Sequence, residues 1–206
     1  MVADVVDCAE AGAISIKLIA FVRYGKMTRS IRVEQSESNK GCRMSVTDEL
    51  LANNAAYAAT FDKGDLPLAP AKKTAVVACM DARLNVYGAL GLQEGDAHVI
   101  RNAGGVVTDD EIRSLAISQR LLGTEEIILI HHTDCGMQTF TDDEFKRVIQ
   151  DEVGIKPQWA AESFVDLDED LRQSISRIKG CPFIPHRDHV RGFVYDVTTG
   201  ALREVV

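Results

Sequence analysis

The sequence predicts an α/β fold: a central, mainly parallel β-sheet flanked by helices, with a terminal strand added at the sheet edge. Three observations predict it. Short apolar runs such as "TAVVAC" and "EEIILIHH" lack the alternation of a half-wetted strand, as expected for strands buried on both faces. Segments with helical spacing of apolar residues separate these runs, the pattern of parallel strands joined by crossovers. Ser, Thr and Gly stand where such helices should start and stop.

The elements follow in order. Residues 1–43 end in the polar stretch "VEQSESNKGCR", which reads as a linker, and "MSVTDELLANNAAYAATF" then opens like the start of a protein. Ser45 and Asp48 form a capping-box pair, and Leu50, Leu51, Ala55, Ala58 and Ala59 line one face of the helix that follows. This divides the chain into an extension, 1–43, expected to be weakly ordered, and one domain, 44–206. A transit peptide is the less favoured reading of the extension, because such peptides are poor in acidic residues. Strands are expected at 74–79, 96–102 and 125–132. A helix over 108–123 lies between the last two, with Thr108 and Glu111 as capping box and Gly123 as stop. Helices are expected over 138–152 and roughly 163–179. The segment 191–205 reads as a last strand that turns at Thr199-Gly200 into a short return.

Composition narrows the function. The chain has 206 residues, 46% hydrophobic and 26% charged, with a net charge of −8. Residues 1–43 hold seven Lys/Arg against five Asp/Glu, and the remainder sixteen against twenty-six. An acidic domain is poorly suited to nucleic acid or an anionic membrane surface. The longest apolar run, "ISIKLIAFV", is too short for a membrane span and contains Lys17. Five cysteines do not make a disulfide framework in a chain of this length, so a reducing cytoplasm is expected.

Two predicted strands end in metal-type ligands. The first ends at Cys79; the third runs into "HHTDCGM", which offers His132 and Cys135 at H-x-x-C spacing. The spacing alone is a weak signal, and a cysteine ending "AVVA" is ordinary apolar packing. Parallel strands, however, gather their C-terminal ends at one sheet edge, where α/β proteins place their sites. Two thiolates and one imidazole there suit zinc, with the fourth tetrahedral position left open. Asp81 and Arg83 follow Cys79 at two-residue steps, sharing its face if the chain stays extended. The guanidinium keeps the carboxylate ionised. Asp81 then either accepts a hydrogen bond from a metal-bound water or occupies the fourth position itself.

Together, "CMDAR", "EGDAHVIRNAGG" and "HTDCG" resemble the β-class carbonic anhydrases, whose pattern is C-x-D-[SA]-R, then G-[DE]-x-x-x-x-R-N, then H-x-x-C-G. The resemblance spans about residues 45–198 and is strongest to the compact bacterial subgroup. It implies zinc on Cys79, His132 and Cys135, and reversible hydration of carbon dioxide to bicarbonate and a proton by metal-bound hydroxide. It implies that Asp81 and Arg83 act as a dyad, active with Asp81 on Arg83 and inactive with Asp81 on zinc. It also implies a homodimer or homotetramer in which the N-terminal helix, around 46–59, packs on a partner. Gly136, at an expected helix start, offers a backbone N–H to an anion such as bicarbonate. One departure stands out: the Gln that many plant-type members carry before the first strand is absent from "LPLAPAKK" (66–73).

Two other readings use the same residues. Carbonyl sulfide or carbon disulfide hydrolysis needs the same ligands, and a non-catalytic zinc-binding domain needs Asp81 to close the site permanently. A thiol redox module lacks a C-x-x-C, and Cys8, Cys42 and Cys181 are scattered. His186 and His189 are assigned to a surface loop. His131 should face away from its neighbour His132, and Trp159 and "DLDED" belong to a solvated helix and its lead-in.

Overall fold

The computed structural model describes residues 45–206, together with two short strands, β1 (Val22–Arg23) and β2 (Lys26–Met27), which pair antiparallel. The expected weak order of 1–43 otherwise lies outside the described residues, as do Cys8 and Cys42. The chain forms two compact units, Met1–Gly64 and Asp65–Val206.

In the first unit, α1 (Val46–Ala58) starts as its sequence dictates. Ser45 Oγ accepts from Asp48 N, and Asp48 Oδ2 accepts from Ser45 N. None of its residues is buried, and Val46, Leu50, Leu51 and Tyr57 are all exposed.

The second unit is built on a five-stranded sheet of order β4-β3-β5-β6-β7. Strands β3 (Thr74–Cys79), β4 (Ala97–Asn102), β5 (Glu126–His132) and β6 (Val190–Tyr195) run parallel; β7 (Leu202–Val205) returns antiparallel on β6. The reason for the unbroken apolar runs is visible in β3. Ala75 and Val77 enter one core cluster with Leu115, Leu129, Leu171 and Ile178, whereas Val76 and Ala78 enter a second, on the other face, with Leu84, Val86 and Ile130. Each fully buried Val or Leu contributes about 1.5–3 kcal/mol of transfer free energy, so the β3–β5 pair is the most strongly anchored part of the sheet.

Crossovers connect the strands. Asn85 caps the short α2 (Val86–Leu90) by accepting from Gly88 N. Thr108 and Glu111 cap α3 (Asp109–Leu122) reciprocally, and Gly123 ends it at φ 72°. The helix expected from residue 138 begins later: Gly136–Gln138 form a 3₁₀ turn, and α4 (Asp142–Val153) starts at a Thr141–Glu144 capping box. Likewise α5 (Leu167–Gly180) starts at Asp166, whose carboxylate accepts from the N–H groups of Asp168 and Glu169. In both cases a polar cap fixes the start more firmly than the apolar spacing upstream of it. Asp196 Oδ1 accepts from Thr198 N and Thr199 N to shape the β6–β7 turn, with Gly200 at φ 74°. No helix among the described residues is long and apolar enough to cross a membrane.

Candidate metal centre

Cys79 is the last residue of β3 and His132 the last of β5, so their side chains emerge at the same edge of adjacent parallel strands. Cys135 is returned to that edge by a tight turn in which Asp134 adopts the left-handed conformation, φ 56°. Asp tolerates this region better than most residues, because its short polar side chain bonds locally. The metal-binding atoms of Cys79, His132 and Cys135 lie within 4.8 Å of one another, and all three residues are buried. They form the only group of three such residues found among those described.

The site is prepared for a cation. His132 Nδ1 donates to the Thr133 carbonyl at 2.9 Å, which leaves the lone pair on Nε2. That Nε2 is buried with no hydrogen-bond partner, an arrangement that is costly unless something electrophilic completes it. The Cys79 thiol is pulled well below the ordinary thiol range by hydrogen bonding from Cys135, against the opposing effect of burial, with His132 adding to the fall. The Cys135 thiol is pushed up by Cys79 and by burial. Two sulfurs and an imidazole at this spacing fit zinc.

Asp81 stands beside this group, its Oδ2 3.7 Å from His132 Nε2. The chain does not stay extended after Cys79, as the two-residue spacing suggested. Asp81 Oδ1 accepts from Arg83 N at 2.8 Å, and Leu84 N donates to the Asp81 carbonyl at 3.1 Å, so the segment turns. The turn brings Arg83 alongside: its Nε donates to Asp81 Oδ1 at 3.0 Å and its Nη2 to Oδ2 at 2.8 Å. These bonds hold the Asp81 carboxyl well below the usual carboxylate range.

Three supporting residues had no assigned role in the sequence reading. Arg101, next to the end of β4, donates from Nε and Nη2 to the Cys79 carbonyl and from Nη2 to the Asp81 carbonyl at 2.7 Å. Gly105, φ 73°, lies so close to the strand ends that a Cβ there would sit 2.7 Å from Cys79 N and 2.9 Å from the Ile130 carbonyl oxygen. Asp134 takes two bonds from Arg83. The "RN" and "GG" of the second motif were a signal for the first two; nothing local marked Asp134.

The remaining calls fall as follows. Gly136 is exposed and opens a three-residue 3₁₀ turn instead of a helix with a useful dipole. His131 faces the other side of the sheet, where its Nε2 pairs with Asp170 Oδ2 at 2.7 Å and its ring stacks on Phe164. His186, His189 and Trp159 are exposed and outside the Cys79–His132–Cys135 group.

A family model described as "Carbonic anhydrase" matches residues 74–161. Beta-carbonic anhydrase 1 of Mycobacterium tuberculosis is 67% identical over 162 residues, covering 79% of this chain and 99% of that protein. This chain belongs to the β-carbonic anhydrase family.

A crystal structure of carbonic anhydrase from Streptococcus mutans superposes on this β-carbonic anhydrase with a TM-score of 0.75 at 46% identity, covering 79% of this chain and 99% of that one. A carbon disulfide hydrolase of Acidithiobacillus thiooxidans is similar at lower identity, 36% over 149 residues, covering 62% of this chain and 74% of that protein. The mainly parallel five-stranded sheet of this family member is thus the architecture of its solved relatives.

Proposed function

We propose that this protein catalyses the reversible hydration of carbon dioxide to bicarbonate and a proton, with zinc held by Cys79, His132 and Cys135. The observation that supports it most directly is the convergence of three buried soft donors beside an Arg-paired carboxylate. Bound zinc lowers the pKa of water from about 15.7 towards about 7, supplying a nucleophile near neutral pH.

The chain's own residues do the rest. Thr133 fixes the tautomer of His132 and aims its Nε2 at the ligand cluster. Cys79 and Cys135 would bring more negative charge to a bound zinc than imidazoles do, and so would temper its acidifying effect. Asp81 would accept a hydrogen bond from a water activated at the ligand cluster and so orient it, and Arg83 holds the Asp81 carboxylate in place by two bonds and off the cluster. The Gly136 N–H is the backbone donor proposed for the anionic product. The free thiols of Cys79, Cys135 and Cys181 fit a reducing cytoplasm.

Stopped-flow carbon dioxide hydration on protein of known zinc content, from about pH 6.5 to 9, tests this reading. Turnover that rises with pH supports it. Full zinc with no hydration across that range overturns it. Carbon disulfide is the second substrate to assay, because relatives at 36% and 38% identity are named for its hydrolysis. The 67% relatives favour carbon dioxide.

A further inference from the structure

We propose that Asp134 is a positioning residue: it anchors the Arg83 guanidinium so that Arg83 keeps the Asp81 carboxylate turned away from the metal ligands. The inference rests on the proposed zinc-dependent reading of the site. Arg83 makes two sets of bonds. Its Nε and Nη2 hold the Asp81 carboxylate at 3.0 and 2.8 Å. Its Nη1 donates to Asp134 Oδ2 at 2.7 Å, and Nη2 donates to the Asp134 carbonyl at 3.0 Å. The guanidinium therefore ties the loop after β3 to the loop after β5, across 51 residues of sequence.

The second set decides how firmly the first can act. The Arg83 side chain is 47% exposed, so its geometry depends on how many groups hold the guanidinium at once, and a network of bonds restrains it more than any one pair does. Asp81 lies between two attractions, the guanidinium and whatever cation occupies the ligand group, whose His132 Nε2 lies 3.7 Å from its Oδ2. A guanidinium free to swing outward loses that competition more often. Asp134 removes this freedom from the far side. Its left-handed backbone turns its carbonyl and its carboxylate to the same guanidinium. The Asp134 side chain is itself 79% exposed, so it does not fill a core position.

The test uses the full chain with Asp134→Asn, Asp134→Gly and Arg83→Ala. Asn and Gly both tolerate the left-handed turn, so the ligand loop keeps its backbone. Three quantities are read: zinc content, steady-state hydration, and visible absorption after cobalt replaces zinc, which follows the groups on the metal. The expected result is full zinc, a kcat about fivefold lower with little change in KM, and a cobalt spectrum displaced in the direction given by Arg83→Ala. Asp134→Asn, which keeps an acceptor, should lie between wild type and Asp134→Gly. Combined with Asp81→Asn, whose side chain no longer competes as an anion, Asp134→Gly should leave the spectrum where Asp81→Asn alone puts it. A wild-type cobalt spectrum in Asp134→Gly overturns the proposal. So does loss of zinc in step with activity, which would confine Asp134 to shaping the ligand loop. If wild-type protein carries zinc but does not hydrate carbon dioxide, the proposed function fails, and the spectra still decide the role of Asp134.

Discussion

Cys135 and Arg83 sit within one constellation but should fail in different ways. Cys135→Ser removes one of three donors, and zinc content measured after dialysis is expected to fall well below one per chain together with activity. Arg83→Gln leaves the donors intact and is expected to keep zinc while lowering kcat at least about tenfold. Gly105 tests the support beneath them. Gly105→Ala places a Cβ 2.7 Å from Cys79 N at a positive φ, and should cost about 2–4 kcal/mol in denaturant unfolding while weakening zinc retention. At this scale the convergence of Cys79, His132 and Cys135 and the nearness of Asp81 and Arg83 were legible because each stands within a few residues of a strand end. The pairing of Asp81 with Arg83 was expected for the wrong reason, since an Asp-centred turn, not strand alternation, brings them together. Arg101 and Asp134 act on groups 20 to 51 residues away, and no local spacing encodes such a contact.

At the scale of elements, capping residues carried more information than apolar spacing. Thr108 and Glu111 set α3 correctly, whereas α4 was expected several residues early although "TDDE" at 141–144 holds the same box. Phe140 lies in the linking turn instead and packs against the core from there. The first residue of α4 has a second task. Asp142 accepts from the N–H groups of Ala161, Glu162 and Ser163 and from the Ser163 hydroxyl, tying the lead-in of α5 to α4. Burial opposes its charge, but these bonds outweigh burial and lower its pKa. A carboxylate with a depressed folded pKa stabilises above its unfolded value near 4 and loses that contribution as pH falls through the folded value. Asp142→Asn should therefore destabilise by about 1–2 kcal/mol at pH 7, and the gap to wild type should narrow as pH falls below about 4, read as thermal midpoints across that range.

The whole molecule presents its parts unequally. The helix α1 carries Val46, Leu50, Leu51 and Tyr57 exposed, which supports a second copy of the chain as their partner. Light scattering coupled to gel filtration should give twice or four times the 22.6 kDa chain mass, and Leu50→Asp with Leu51→Asp should shift it towards the monomer. We propose that residues 44–206 form the working domain; deletion of 1–43 should leave hydration and the thermal midpoint unchanged. The parallel sheet itself was legible, since strands buried on both faces write themselves as unbroken apolar runs. What covers α1 was not, because an apolar helix face reads the same in the sequence whatever it packs against.

The separation of the donors along the chain also sets an order of events. Cys79 is synthesised more than fifty residues before His132 and Cys135, on a strand whose neighbours on both sides come later in the sequence. The first thiol must wait, without its two co-ligands, until β5 has docked beside it. Completion of the metal site would therefore be a late step of biogenesis, and a stalled or truncated nascent chain would carry Cys79 without His132 and Cys135.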